Sequence, residues 1–451
     1  MPKTFIIINE LHFNQERQRG AALMVMLVIL IVGAAAILLR SLNNTTLHIE
    51  RDKITANALA QAKEALIGYA TTLKLTSATY PDRPGDLPCP DTNNDGVAEG
   101  SCGNAAGSTG QAARLGRLPW KTLGLGDLRD GSGERLWYAV SNNFKKSTRT
   151  ALLNSDTVGT ITVRTPDGSL LNDGSNSSGA VAIIIAPGDV LQRTDKPSPQ
   201  DRSSAAPENY LDIAYGEDNA TFTDSSVDGF IQGRVKDAND HVILNDQILV
   251  ITRGNIIQSI QKRVAKEVVN ALNKYYCGDT NVNPAGGCLV AGGNRFYPRP
   301  AYFTDNSCLG NSNLASCNSA ATTRGRIPAT PATAWSASSI LRGSTSNNWF
   351  QANSWREVMF YAVASACTDG TFNCNGSGYL ALNNPPGSPS GNQKVVVIAT
   401  GGALAGQLRS GMGSPKNTIS NYLEGENLAP LDDIYTKSDP LPFNDIAISI
   451  P

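Results

Sequence analysis

The chain states one pattern twice, and any fold it adopts must accommodate the repeat. Gly116-Arg117-Leu118-Pro119 returns as Gly325-Arg326-Ile327-Pro328, 209 residues later. Trp137-Tyr138-Ala139-Val140 returns as Phe360-Tyr361-Ala362-Val363 at an offset of 223, and the run from Ala182 to Gly188 as Val396 to Gly402 at 214. Asn209-Tyr210-Leu211-Asp212 returns as Asn421-Tyr422-Leu423-Glu424 at 212, and Asn245-Asp246 as Asn444-Asp445 at 199. One such match is weak. Several in the same order at a nearly constant offset define a duplication. Each copy follows a helical pattern: ALAQAKEALIGYA in the first, and in the second a run with Ile256, Ile260, Val264, Val268, Leu272 and Tyr275 on one side. Short β-branched runs stopped by glycine read as buried strands. The expected fold class is therefore α+β, with two tandem modules, 41–253 (helix about 51–70, head about 80–253) and 254–451. Each is expected to pack a helix on a small, mainly antiparallel sheet with long disulfide-bearing loops. Asn- and Ser-rich stretches at 166–179, 195–208, 303–323 and 383–393 read as surface loops.

Ahead of the first module, Ala21 to Leu39 holds no charged or strongly polar residue. As a helix it would be about 28 Å long, close to the hydrocarbon thickness of a bilayer. Residues 21–40 are thus expected to form a transmembrane helix that runs on into an amphipathic one, with Ile54, Ala58, Ala62, Ala65, Leu66 and Tyr69 at helical spacing. Flanking charge does not orient it, because Lys3, Arg17 and Arg19 balance Arg40, Arg51 and Lys53. The 8 cysteines do, since all follow the apolar run. They fall as near neighbours, Cys89 with Cys102, Cys277 with Cys288, Cys308 with Cys317 and Cys367 with Cys374, which reads as local disulfides made in an oxidising compartment. Zinc is the weaker reading: no Cys-x-x-Cys occurs, and the histidines are His12, His48 and His241.

The string RQRGAALMVMLVILIVGAAAILLRSLNNTTLHIERDK resembles the start of type IV prepilins, particularly minor pilins of the PilX type, and also large K-type minor pseudopilins of type II secretion. The resemblance covers roughly the first 70 residues well and the remainder only in layout. It implies a leader over 1–20, cleavage by prepilin peptidase after Gly20, and methylation of the new amino terminus, Ala21. It further implies insertion in the inner membrane as a single pass with the C-terminal part periplasmic, then passage to a pilus, pseudopilus or the cell surface. Its partners would be other pilin or pseudopilin subunits, met through the N-terminal helix. Major pilins of this family carry glutamate at the fifth residue after the cut. Val25 stands there in this chain, which points to a minor subunit. The leader is also unusually apolar at Phe5-Ile6-Ile7-Ile8.

DTNNDGVAEG is the one string with metal-ligand character. Asp91, Asn93 and Asp95 alternate before Gly96, as in the first half of an EF-hand loop, and the Val97 carbonyl and Glu99 could complete a calcium shell. The bidentate position holds Cys102, and the same residue types build Asx turns without any ion, so both readings stand. No catalytic residues are identified: His241 is the only histidine well clear of the leader and the apolar run, and no serine or cysteine sits in a nucleophile elbow. Gly401-Gly402-Ala403-Leu404-Ala405-Gly406 lacks a P-loop's Gly-Lys-Ser/Thr ending. The net charge is −1, charged residues make up 17%, and no basic, aromatic-interleaved patch stands out, so nucleic acid is not an expected partner. Trp120, Trp137, Trp335, Trp349 and Trp355 are read as core residues at corresponding points of the modules.

These readings combine into a non-enzymatic minor, tip-located subunit of a type IV pilus or related filament, with a structural role and a capacity for adhesion. The alternatives are a minor pseudopilin of a type II secretion system and a signal-anchored periplasmic binding protein.

Overall fold

A computed structural model describes residues 15–72, 82–103, 111–147, 151–222, 229–283, 287–310, 314–343, 348–383, 390–410, 415–428, 433–437 and 443–451. Within the first helix the described side chains are those of residues 26, 27, 30, 31 and 46–72. Four α-helices are present among the described residues: α1 (Gln15–Thr72), α2 (Arg253–Cys277), and the single turns α3 (Trp349–Ala352) and α4 (Gly425–Leu428).

No helix among the described residues is long and apolar enough to cross a membrane. This corrects two expectations: a fold built on a transmembrane helix, and a single-pass inner-membrane location. The physical reason lies in the described part of α1. From residue 46 onward it carries Glu50, Arg51, Asp52, Lys53, Lys63 and Glu64 among small residues, and no long apolar run. Most side chains of Ala21 to Leu39 lie outside the described residues, as do those of Gly20 and Ala21 and all of residues 1–14. The compartment is still legible. Cys89–Cys102, Cys277–Cys288, Cys308–Cys317 and Cys367–Cys374 are disulfide-bonded, which suits an oxidising environment.

The chain forms two compact units, Met1–Asn57 and Ala58–Pro451, and the second holds all the sheet structure. Its first half contains β1 (Leu115–Arg117), β2 (Trp137–Val140), β3 (Thr162–Arg164), β4 (Leu170–Asn172), β5 (Ala182–Ala186), β6 (Gly229–Ile231) and β7 (Gln247–Ile251). Its second half contains β8 (Arg324–Gly325), β9 (Met359–Val363), β10 (Leu380–Asn383), β11 (Ser390–Gln393), β12 (Val395–Ala399), β13 (Ile434–Thr436) and β14 (Ile446–Ile450). The antiparallel sheet β1-β2-β5-β7 has the same order as β8-β9-β12-β14. Each half adds a second, three-stranded sheet, β4-β3-β6 and β11-β10-β13, in which β3 runs parallel to β6 and β10 to β13. A single small sheet per module is therefore too simple a description. The stretches 166–179 and 383–393, expected as loops, contribute the hairpin strands β4 and β11. Period-2 apolar patterning is faint there because β4 is an edge strand with Leu170 and Leu171 exposed.

Register makes the duplication concrete. Gly116 pairs with Tyr138 as Gly325 pairs with Tyr361, and Tyr138 pairs with Ile184 as Tyr361 pairs with Val397. The central strand is thus offset by 213, one less than the match of apolar runs gives. In a strand one residue exchanges the two faces, so Ile184 and Val397 are the true counterparts. A β-carbon on Gly116 would meet the Asp91 carbonyl oxygen at 2.8 Å, and one on Gly325 the Ala301 carbonyl oxygen at 2.0 Å. Those contacts align Asp91 with Ala301 and explain why glycine stands at both positions.

The core is shared rather than doubled. Ala58, Leu59, Ala62, Leu66 and Ala70 of α1 join Ile256, Ile260, Val264, Val268 and Leu272 of α2 and the near faces of both four-stranded sheets in one cluster. The far face of β2-β5-β7 (Trp137, Ile183, Ile185, Ile248) is covered by Val163, Phe230, Tyr210 and Leu211. No linker separates the halves: β7 ends at Ile251, Thr252 caps α2, and its N–H donates to Asn255 Oδ1 at 3.0 Å. Across the seam Asn353 Oδ1 accepts from Arg83 Nη1 at 2.8 Å and from the Leu153 N–H at 3.0 Å. Leu66, fully buried between α2 and the sheets, is a direct test of this shared core. Leu66→Ala should cost about 2–5 kcal/mol in denaturant unfolding, whereas Ile54→Ala, at an exposed position of α1, should stay within about 0.5 kcal/mol.

Candidate functional site

The motifs Asn-Tyr-Leu-acid and Asn-Asp are far apart in sequence and meet in space. In the first half, Asp246 Oδ2 accepts from the Asp212 N–H at 2.8 Å, and Asp212 Oδ2 accepts from the Asn245 N–H at 2.8 Å. The two segments therefore exchange a carboxyl for a backbone N–H in both directions. Asn219 completes the junction, donating from Nδ2 to Asp246 Oδ2 at 2.9 Å and accepting from the Ile231 N–H at 2.8 Å. Gln200 Nε2 donates to Asp212 Oδ1 at 3.0 Å.

The second half repeats this bond for bond. Asp445 Oδ2 accepts from the Glu424 N–H at 3.3 Å, Glu424 Oε2 from the Asn444 N–H at 3.2 Å, and Glu424 Oε1 from Gln407 Nε2 at 2.8 Å. Asn427 Oδ1 accepts from the Thr436 N–H at 2.9 Å, in the role of Asn219. Asn245 and Asn444 also sit where a β-carbon on Gly188 or Gly401 would fall.

Burial dominates the electrostatics of these junctions. It pushes the Asp246 and Asp445 carboxyls well above the usual carboxylate range, and pushes Asp212 up to about 6. Oδ1 of Asp246 and of Asp445 is buried without a hydrogen-bond partner, so the neutral acid is the form the surroundings favour.

Tyr210, two residues before Asp212, carries the junction into a pocket. The Arg117 guanidinium lies 3.9 Å from the Tyr210 ring centroid and 4.3 Å from that of Trp137. The Arg202 guanidinium lies 4.8 Å from the Tyr210 ring centroid and donates from Nη2 to the Gly188 carbonyl at 3.2 Å. Nε and Nη1 of Arg202 are buried without hydrogen-bond partners. Arg117 Nη1 makes one long bond, 3.4 Å, to the Arg135 carbonyl. Together with Thr92, Asn94, Leu115 and Pro207 these residues line an open cavity of about 380 Å³. Two guanidinium groups and two aromatic rings around such a space make a receptor for oxygen acceptors attached to a flat or apolar group.

The loop with metal-ligand character borders this pocket. Asp91 Oδ1 accepts from the Asn94 N–H at 2.6 Å and Oδ2 from the Gly96 N–H at 2.7 Å. Asn93 Oδ1 accepts from the Asp95 N–H at 3.0 Å, Asp95 Oδ1 from the Val97 N–H at 2.7 Å, and Glu99 Oε1 from the Thr92 hydroxyl at 2.8 Å. The Asn93 and Asp95 bonds are successive Asx turns, in a loop closed by the Cys89–Cys102 bridge. Among the described residues no group of three or more His, Cys, Asp or Glu side chains is placed to hold a metal ion. Cys277–Cys288, Cys308–Cys317 and Cys367–Cys374 close other loops, away from the pocket lining.

Trp137, Trp335, Trp349 and Trp355 are buried and Trp120 is half-buried against Gly96, but they do not correspond between halves. Register places Phe360 opposite Trp137. His241 lies exposed in a turn with Nδ1 3.3 Å from Asp237. The residues that the repeat motifs alone do not reveal are Gln200, Arg202 and Asn219, with Gln407, Arg409 and Asn427. A Gln-x-Arg string precedes each Asn-Tyr-Leu motif and was available as a signal.

Two measurements follow. An acid whose folded pKa lies above its unfolded value stabilises the fold fully below the unfolded pKa and loses that contribution as pH rises through the folded one. Unfolding free energy should therefore fall between pH 4 and 7, by about 3 kcal/mol for Asp212 alone, given its rise from 3.8 to about 6. Asp212→Asn combined with Asp246→Asn and Asp445→Asn should flatten the profile. In the loop, Asp91→Ala leaves the Asn94 and Gly96 N–H groups without their acceptor and should cost about 2 kcal/mol by thermal unfolding. No protein-family model matches this chain, and neither a curated protein nor a solved structure matches it.

Proposed function

We propose that this chain is a minor, non-catalytic subunit of a type IV pilus or related filament, assembled through α1 and presenting the doubled α/β unit at its surface. The observation that carries the reading is exposed apolar surface on α1 before Asn57. Met26, Leu27, Leu30 and Ile31, and further on Leu47, Ile49 and Ile54, are large apolar residues exposed along that helix. Exposed apolar surface of this extent on one element marks an association site. Packing against equivalent helices of neighbouring subunits would remove it from water, by ridges-into-grooves contact. The resemblance of the first residues to prepilins, and Val25 in place of the family's glutamate, support a rare position over the filament body. A unit of two fused modules is also bulky to repeat at every step of a filament. The disulfides suit a subunit displayed outside the reducing cytoplasm.

Co-expression with prepilin peptidase and a major pilin tests this. The mature chain should begin at Ala21, and sheared filaments should contain it at a small fraction of the major subunit. An uncut chain in the presence of active peptidase, or its absence from filaments, sinks the reading.

A further inference from the structure

The two halves are built alike at the junction and differ where the pocket lies, and the difference shows what the pocket is made to receive. Six residues separate Arg202 from Asn209 in the first half, and eleven separate Arg409 from Asn421 in the second. In the second half the Lys416 carbonyl accepts from Arg326 Nη2. Arg326, the counterpart of Arg117, also donates to the carbonyls of Glu357 and Phe303 and lies 4.0 Å from the Phe303 ring centroid. Phe303 stands where the first half has Asn93, two residues beyond the aligned pair Asp91 and Ala301. Arg409, the counterpart of Arg202, donates to the carbonyls of Gly401, Asn421 and Tyr422 and to Asp156 Oδ1 at 2.9 Å. Thus in the second half the Phe303 ring and the main-chain carbonyls of Phe303 and Lys416 occupy the receptor at Arg326, whereas Arg409 turns to carbonyls of the receptor itself, as Arg202 does to Gly188. In the first half Arg117 has a single long bond to the Arg135 carbonyl, Arg202 keeps Nη1 without a hydrogen-bond partner and Nε 3.9 Å from Glu134 Oε1, and an open cavity of about 380 Å³ remains.

We propose that the first-half pocket binds a polypeptide segment that supplies what the second half supplies to itself: an aromatic side chain flanked by main-chain carbonyl oxygens. The ring stacks against the Arg117 guanidinium beside Tyr210, and the carbonyls accept from Arg117 and Arg202. The source is a segment of another protein: the first half's own loop forms the cavity wall with Ser203, Ser204 and Ala205 and leaves the space open. This assignment stands independently of the filament reading.

The test uses the full chain and the synthetic peptide acetyl-Ala-Tyr-Phe-Thr-amide, which copies the second half's plug. Isothermal titration calorimetry should give one site per chain. Replacing the peptide's phenylalanine by alanine should weaken binding at least tenfold, and Arg202→Gln should do the same with the unfolding midpoint unchanged. Phe303→Ala, which empties the second receptor, should raise the stoichiometry to two. Because that variant could lose stability, Ala205→Trp provides the converse: at a residue of the lining it fills the first pocket and should abolish binding. Absence of peptide binding, equal affinity in Arg202→Gln, or displacement of the peptide by cellobiose at lower concentration than by free peptide overturns the proposal. The last outcome would assign the pocket to a sugar.

Discussion

The second compact unit depends on a buried carboxyl that accepts a backbone N–H from the segment whose own carboxyl it faces. Asp246 and Asp212 tie the turn at 209–212 to the corner leading into β7, and Asp445 and Glu424 do the same before β14. Taking an acid out of water is costly unless it is neutral or well bonded. Here both occur: burial favours the neutral form, and the oxygens that are bonded take N–H groups that would otherwise be orphaned. The consequence reaches beyond the junction. Tyr210 and Tyr422 lie two residues before the tied acids, so the rings against which Arg117 and Arg326 stack are positioned by them.

Duplication within one core gives the two halves different freedoms. Each four-stranded sheet turns a face to the α1–α2 pair, so strands and helices cannot change independently in either copy. Loops at the outer ends of the strands escape that restriction. The aromatic at position 303 and the carbonyl of Lys416 convert an open receptor into a filled one. Filling also accounts for burial: Arg326 is fully enclosed, while Arg117 keeps slight exposure at the cavity wall. A charged group can be enclosed in that way only if carbonyl oxygens replace its water, which is what Phe303, Glu357 and Lys416 provide.

Much of this was legible in the sequence because paired motifs fix more than single ones. The Gly-Arg, Tyr-Ala-Val, Asn-Tyr-Leu and Asn-Asp strings mark the strand pairing and the junction, and the local cysteine spacing marks the disulfides. The register of the central strand was not legible, because AIIIA and VVVIA are apolar at every position and slide without penalty. The Gly188–Asn245 and Gly401–Asn444 contacts are what pin it. The parallel partners β6 and β13 were hidden for a related reason: short strands whose mates lie across long connections carry little local pattern. A further repeat, Leu87-Pro88-Cys89-Pro90-Asp91 against Tyr297-Pro298-Arg299-Pro300-Ala301, was present but masked by dissimilar residues between the prolines. Its physical basis is the hydroxyl of Tyr138 donating to the Pro88 carbonyl at 3.1 Å, and that of Tyr361 to Pro298 at 2.9 Å.

The amino-terminal helix shows why an apolar sequence alone does not define an environment. From Ala58 onward the residues facing the core are Ala58, Ala62 and Ala70 with Leu59 and Leu66. These side chains join those of α2 and of both four-stranded sheets in one buried cluster. Over residues 46–57 the large apolar residues Leu47, Ile49 and Ile54 are instead exposed, among Glu50, Arg51, Asp52 and Lys53. Alternation of that kind is poorly matched to lipid, where four neighbouring charges would be stranded, and well matched to contact with another amphipathic protein surface that leaves charges at its margin. Residue size and charge spacing along α1, rather than mean hydropathy, thus separate the part that completes this fold from the part left for association.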